Sequence, residues 1–285
     1  MNSREIKELA RRYNLAISPR RMGQNFLVDP RQLERIAQTV GAAAGDKVLE
    51  IGAGLGALTE QLLATGAAVY AVEKDAKFTR ILAERFPEAK NLQVIHSDIL
   101  ELDLASYAQG EPKSLIVVGN LPFSMTSPIL EFLLKQRQWV KRAVFTIQKE
   151  VAQRIVASPC TKAYSSITLL THVAFQPSLV FTIPPNCFYP QPKVTSAVIQ
   201  LDAIPEPIVP PDEEEAVLKL VRLIFTHRRK TLLNALSIPG VGLDREEITK
   251  RLREISIDPV RRPETFHLKE ILALHRALVK DNRSQ

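Results

Sequence analysis

Cysteine is nearly absent from this chain. The two that occur, Cys160 and Cys187, form neither a C-x-x-C pair nor part of a metal-ligand cluster, which excludes a disulfide scaffold and a zinc ribbon. The five histidines are scattered without metal-ligand spacing, so no metal is expected. No apolar run is long enough to cross a bilayer, and no membrane partner is expected. Residues Met1 to Arg12 are charged and lack the apolar core of a signal peptide, which makes the cytoplasm the expected location. Internal repeats and low-complexity tracts are also missing. What is there has the profile of a globular protein: 285 residues, 45% hydrophobic and 24% charged, enough for one large or two modest domains. The formal net charge of +7 suits a nucleic-acid partner without requiring one. Arg20-Arg21 and Arg228-Arg229-Lys230 are the clearest basic clusters; on charge alone each reads as solvated surface.

Hydrophobic periodicity divides the chain near residue 206. Arg4 to Tyr13 has helical spacing, and Asp29-Pro30 supplies a cap and a first-turn proline for a helix through Leu33, Ile36, Ala37 and Val40. Strand patterns at Lys47 to Ile51, Ala68 to Val72, Leu92 to His96, Leu115 to Gly119 and Ala143 to Gln148 then alternate with helical ones. The helices are at Leu58 to Ala64, Ala76 to Arg85, Ser127 to Gln136 and Glu150 to Ala157. The Thr-, Val- and Phe-rich stretch Ile167 to Phe181 carries a strand signal. A proline-dense loop from Pro184 to Pro192 follows, then an alternating strand from Thr195 to Leu201. These two closing strands predict an antiparallel hairpin that ends a mainly parallel sheet, with helices on both faces. Ile204 to Pro211 is a stiff proline-rich linker. Beyond it Asp212 to Phe225, Thr231 to Leu236, Arg245 to Ile255 and Leu268 to Val279 are helical in pattern. The expected organisation is an α/β domain over 1–205, with an N-terminal helical extension to about residue 40, and a smaller all-α domain over 206–285.

Three features place chemistry at strand ends. Asn120-Leu121-Pro122-Phe123 follows an apolar run, at the carboxyl end of a strand, where open α/β sheets bind ligands. The Asn side-chain oxygen and a nearby carbonyl can each accept an N–H bond, and the ring of Phe123 can stack on a base. Together they suit a flat exocyclic aromatic amine, although strand-to-turn segments with proline are common. The second feature is Glu50 to Thr59, whose spacing is G-x-G-x-G and not the dinucleotide G-x-G-x-x-G. Its glycines let the backbone turn sharply and approach a ligand; no Walker lysine follows, which disfavours triphosphate hydrolysis. The third is a pair of acids. Glu73 ends the second strand, where an acid binds ribose hydroxyls, and Asp98 ends the third, where it can accept from an adenine amino group. Either could simply cap a helix. With the glycine turn they describe a pocket for an adenosine-containing ligand.

Glu50 to Thr59, Glu73, Asp98 and Asn120 to Phe123 resemble the successive motifs of class I S-adenosylmethionine methyltransferases acting on adenine N6. Gly23 to Leu27 resembles the N-terminal motif of one branch, the ribosomal RNA adenine dimethyltransferases, and Phe188 to Ser196 resembles its loop before the last strand. Phe225 to Asn234 resembles the C-terminal signature of its members that modify 16S rRNA. The resemblance runs from about residue 20 to the end. It implies a Rossmann-like seven-stranded class I methyltransferase sheet and S-adenosyl-L-methionine as cofactor. The implied substrate is two adjacent adenosines near the 3′ end of 16S rRNA in an immature small ribosomal subunit. Each would be dimethylated at N6 by a monomeric enzyme, as part of ribosome biogenesis.

The resemblance also implies roles for residues. Asn25 and Leu27 would touch the cofactor, with Gly52 at its amino-acid end, Glu73 at its ribose and Asp98 at its adenine. Asn120 would lie between cofactor and target base, acting with Pro122 and Phe123 in catalysis. Phe188 would stack on the base, and Arg228, Arg229 and Lys230 would grip the RNA backbone. Two positions depart from the family pattern: Phe123 stands where Tyr is usual, which keeps the stacking face, and Ser165 follows Tyr164 where Gly is common. The nearest rival is a sister enzyme that dimethylates 23S rRNA; the basic C-terminal signature favours the small-subunit branch. A catalytically idle binding factor is disfavoured by intact Gly52, Glu73, Asp98 and Asn120. A DNA adenine methyltransferase is disfavoured by Asn, not Asp, heading the fourth motif.

Overall fold

The computed structural model describes residues 3–15, 25–237 and 242–279; Arg20-Arg21, Gly23 and Gln24 lie outside them. The chain opens with α1 (Ser3–Arg12), a short strand β1 (Phe26–Leu27) and α2 (Pro30–Val40). Asp29 caps α2, its Oδ1 accepting from the N–H groups of Arg31 at 2.9 Å and Gln32 at 3.3 Å, a contact worth about 1 kcal/mol. There follow β2 (Lys47–Ile51), α3 (Ala57–Leu63), β3 (Ala68–Glu73), α4 (Ala76–Arg85), β4 (Leu92–His96) and α5 (Leu104–Ala108). Next come β5 (Leu115–Asn120), α6 (Thr126–Lys135), β6 (Val140–Gln148), α7 (Lys149–Ile155) and α8 (Ser166–His172). The sheet strands end with β7 (Phe175–Ile183), β8 (Phe188–Tyr189) and β9 (Ser196–Ala203). Four helices close the chain: α9 (Pro211–Thr226), α10 (Leu232–Leu236), α11 (Arg245–Glu254) and α12 (Leu268–Val279).

Seven strands form one sheet in the order β4-β3-β2-β5-β6-β9-β7. The first five are mutually parallel, and β9 runs antiparallel to β6. Its centre reads as nearly unbroken Val, Ile and Leu because helices cover both faces. One face packs Val48, Val69, Ile116, Val118 and Val144 against Leu33, Ile36 and Val40 of α2 and Leu58 and Leu62 of α3. Strand order reverses between β2 and β5, so the loops at their carboxyl ends diverge and leave a crevice. A separate antiparallel ribbon pairs β1 with β8, setting Phe26 opposite Tyr189 and Leu27 opposite Phe188.

The chain forms two compact units, Met1–Ala152 with Gln176–Ala203, and Gln153–Phe175 with Ile204–Gln285. Segment 153–175 thus lies outside the unit to which a single boundary near residue 206 would assign it. Within the second unit the buried Tyr164 donates its hydroxyl proton to the Phe266 carbonyl at 2.6 Å, and the Cys160 N–H donates to the Glu264 carbonyl at 2.8 Å. These bonds are long-range, and nothing in the local pattern announces them.

Ile167 to His172, expected as strand, is helical in α8. The Ser165 N–H donates to Thr168 Oγ1 at 3.1 Å, which opens the helix. The threonine hydroxyls then find carbonyl partners, Thr168 on Arg154 at 2.5 Å and Thr171 on Ile167 at 2.8 Å. Capping and packing thereby outweigh the β preference of Ile and Thr. Ser165 itself is extended, at φ −157, so this position makes no demand for glycine.

Candidate active site

At the crevice the ends of β2, β3 and β5 and the loop after β4 border a cavity of about 250 Å3. Asn25, Gly52, Glu73, Asp98, Asn120, Pro122, Phe123 and Phe188 all line it. Leu27 does not line this cavity: its side chain is buried in the core with Leu33 and Leu58. Phe26, Lys74 and Ser196 also line it. Lys74 is adjacent to Glu73 at a strand end, a signal the sequence does carry. Phe26 and Ser196 lie within the motif segments Gly23 to Leu27 and Phe188 to Ser196, and strand pairing across the fold brings them here.

The glycine turn is braced from the neighbouring strand. Gly52 has φ +68, and a Cβ built there would meet nothing within 4 Å, so its face toward the cavity is open. Gly54 has φ +54, and a Cβ there would come within 3.2 Å of the Phe26 ring. Both positions favour glycine by their left-handed φ, and Gly54 also by its closeness to the Phe26 ring. The Gly54 N–H donates to Glu73 Oε2 at 2.9 Å, and the Asp75 N–H donates to Glu73 Oε1 at 2.9 Å. Burial lifts the Glu73 carboxyl above its ordinary range, and the backbone donors oppose that rise. Asp98 behaves oppositely. Lys74 Nζ lies 2.7 Å from its Oδ2, and the Leu100 N–H donates to its Oδ1 at 3.0 Å. The Lys74 hydrogen bond, helped by the Leu100 N–H, holds Asp98 below the usual carboxylate range. The wall of the cavity therefore presents an ionised acceptor at Asp98.

Behind the turn lies Glu50, only 2% exposed, which accepts from Thr59 Oγ1 at 2.6 Å. Burial pushes its carboxyl up to about 7, the Thr59 bond opposes this, and the Glu73 charge adds to it. The folded chain thus keeps a proton that the unfolded chain releases at lower pH. Stability from this group is full below the ordinary glutamate range and is lost as pH rises through about 7. Glu50→Gln keeps an acceptor for Thr59 and removes the charge. Thermal melting of this variant is expected to exceed wild type at about pH 8 and converge on it near about pH 5, a difference on the order of 1–3 kcal/mol. An offset that is the same at both values would mean that Glu50 does not titrate there.

The Asn120 loop is set by three bonds. Asn120 Nδ2 donates to the Asn25 carbonyl at 2.8 Å, which leaves Oδ1 for the cavity. The Leu121 N–H continues the β5–β6 pairing by donating to the Thr146 carbonyl at 3.0 Å. The Met125 N–H donates to the Pro122 carbonyl at 2.8 Å, closing a tight turn over Phe123–Met125. No described backbone N–H reaches the Leu121 carbonyl. The arrangement can hold an amine between two acceptors, beside the rings of Phe123 and Phe188.

Arg228, Arg229 and Lys230 belong to the second unit. Arg228 Nε lies 2.8 Å from Glu264 Oε2, and its Nη2 donates to the Thr161 carbonyl at 3.2 Å. That guanidinium ties segment 153–175 to the C-terminal helices. Arg229 and Lys230 are exposed. Among the described residues no group of three or more His, Cys, Asp or Glu could hold a metal ion, and no helix is long and apolar enough to cross a membrane.

The family described as ribosomal RNA adenine dimethylase matches residues 18–273. The ribosomal RNA small subunit methyltransferase A of Geobacillus thermodenitrificans is 39% identical over 278 residues, 96% of this chain and 94% of that protein. Among solved structures, a dimethyladenosine transferase from Plasmodium falciparum superposes with a TM-score of 0.75 at 24% identity, over 87% of this chain and 95% of that one. It supports the fold. The 23S rRNA methyltransferase ErmE superposes with a TM-score of 0.67 at 26% identity, over 89% of this chain and 99% of its own. The chain belongs to the ribosomal RNA adenine dimethylase family.

Proposed function

We propose that this protein uses S-adenosyl-L-methionine to dimethylate N6 of two adjacent adenosines near the 3′ end of 16S rRNA, acting as a monomer on an immature small subunit in the cytoplasm. The observation that carries this reading is the Asn120 side chain lining one cavity with Glu73 and Asp98, its Nδ2 held by the Asn25 carbonyl. The curated relatives at 36–39% identity over most of the chain are small-subunit enzymes by name, which favours the small subunit.

The open face of Gly52 and the acids Glu73 and Asp98 fit an adenosyl ligand that carries positive charge. Gly52 would receive its amino-acid end, Glu73 its ribose hydroxyls and Asp98 its adenine amino group. Bound there, it would supply a methyl group: the N6 lone pair forms the new N–C bond, the C–S electron pair goes to sulfur, and the N6 proton leaves to water. The adenine lone pair is a poor nucleophile because it is delocalised into the ring. Asn120 Oδ1 and the Leu121 carbonyl would accept hydrogen bonds from the two N6–H groups and favour a more tetrahedral nitrogen. The Leu121 carbonyl suits this better than that of Pro122, which already accepts from Met125. Phe123 and Phe188 would sandwich the base and fix an in-line approach, so the rate gain comes from orientation and preorganised dipoles. A base must leave its stack to enter, which favours an unpaired adenosine.

The direct test is incubation with methyl-labelled cofactor and under-methylated small subunits, followed by mapping of the modified bases. Label in 23S rRNA, or in other 16S positions, would overturn the assignment. Arg229→Glu with Lys230→Glu is expected to weaken RNA binding by about tenfold or more and to reduce the slope of log affinity against log salt by about 2. An unchanged slope in filter binding would make the pair ordinary surface. Arg228→Ala is a poorer probe, because it breaks contacts inside its own unit.

A further inference from the structure

Asn120 is held by an atom that can only accept. Its Nδ2 donates to the main-chain carbonyl of Asn25 at 2.8 Å, and a carbonyl oxygen has no proton to return. The contact is therefore satisfied in one orientation, nitrogen toward Asn25 and oxygen toward the cavity. Position 120 must donate on one side and accept on the other. A primary amide does both. A carboxylate accepts on both sides, and here it would set its charge against the Asn25 carbonyl dipole.

The Asn25 carbonyl is in turn placed by contacts that are distant in sequence. The two residues after it pair with Tyr189 and Phe188. The Phe26 ring packs edge-on against Phe78 at 5.8 Å between centroids and lies against Gly54. We propose that the Asn25 carbonyl is a positioning group that locks the Asn120 amide with Oδ1 toward the target amine, and that for this reason position 120 requires an amide and not a carboxylate. This rests on the methyl-transfer reading above. The ribbon of β1 and β8 then links the stacking ring of Phe188, the glycine turn and the orientation of the acceptor.

The test is Asn120→Asp in the full chain, assayed beside wild type across pH. The introduced carboxylate would border spaces lined also by Glu50, Glu73 and Asp98, while Lys74 is already paired with Asp98. Each of these carboxylates, when ionised, raises its affinity for a proton, and the Lys74 charge that would oppose them is taken up by Asp98. Once protonated, the acid regains a donor for Asn25 and keeps an acceptor for N6. Asn120→Asp is expected to lose on the order of 100-fold in kcat at about pH 8, with cofactor Kd within about threefold, and to recover at least about tenfold relative to wild type by about pH 6. The ratio to wild type removes the titration of Glu50, Glu73 and Asp98 that both proteins share; what remains belongs to the introduced carboxylate and its coupling to them. Near wild-type kcat at the higher pH, or a ratio that does not move with pH, overturns the positioning role. If the variant fails to bind cofactor, hydrogen exchange of the Asn120 side-chain amide in the wild-type protein decides. Slow exchange supports the lock and free exchange overturns it. Absence of methyl transfer by wild type would sink the methyl-transfer reading and leave the exchange measurement to judge the contact.

Discussion

Asn120→Ala is expected to lower single-turnover methyl transfer by about 10²–10³-fold, while cofactor and RNA dissociation constants stay within about threefold of wild type. On the proposed mechanism the amide oxygen would engage the target nitrogen where its lone pair must be localised. Removing it takes away stabilisation that grows toward the transition state, and such losses appear in kcat more than in binding. The Leu121 carbonyl, which no described backbone N–H engages, remains as a second acceptor, and the stacking rings of Phe123 and Phe188 still line the cavity. Some activity should therefore survive. The Asn25 carbonyl loses the Asn120 hydrogen bond, a net cost of about 1 kcal/mol that should not unfold the chain. Turnover at the wild-type rate would remove Asn120 from catalysis. A parallel loss of RNA affinity would recast it as a binding residue.

The α/β alternation was legible because buried parallel strands are written as short apolar runs and their helices as amphipathic ones. Leu115 to Gly119 and Leu268 to Val279 fall where their periodicity puts them. The gathering of Gly52, Glu73 and Asp98 was legible for a related reason. Glu73 ends its strand, and Gly52 and Asp98 lie one and two residues past the ends of theirs, so strand boundaries collect them in one crevice. What was not legible depends on partners far along the chain. Ile167 to His172 resembles a strand by composition, and becomes a helix once its threonine hydroxyls find carbonyls at Arg154 and Ile167. Leu27 adjoins the motif residues Asn25 and Phe26, yet the pleat turns its side chain into the core. Arg228 belongs to a basic triplet that looks uniform, yet Glu264 and Thr161 engage it and leave Arg229 and Lys230 outermost. A charge run reports composition; which member is available to a partner is decided by neighbours that the run does not contain.

Glu73→Ala is expected to weaken cofactor binding by more than about 100-fold and to lower stability by about 1–3 kcal/mol. The two effects share one cause. Each carboxylate oxygen accepts one backbone N–H, from Gly54 and from Asp75. Alanine would leave both donors without their acceptor and release the turn whose open glycine face is the proposed cofactor cradle. It would also remove the acid expected to bind the ribose hydroxyls. The stability loss stays modest because the carboxylate is itself costly to bury, as its raised proton affinity indicates. Glu73→Gln should fall between, since its oxygen can serve one N–H while its amide nitrogen opposes the other. The same carboxyl gives a pH signature. Its folded-state pKa lies above the ordinary range, so wild-type cofactor affinity should begin to fall, on acidification, before an ordinary glutamate would protonate. Calorimetric titration of cofactor into wild type and both variants at several pH values reads all of this at once. Undiminished affinity in Glu73→Ala, with melting lowered as expected, would leave Glu73 as a brace of the glycine turn with no part in holding the ligand.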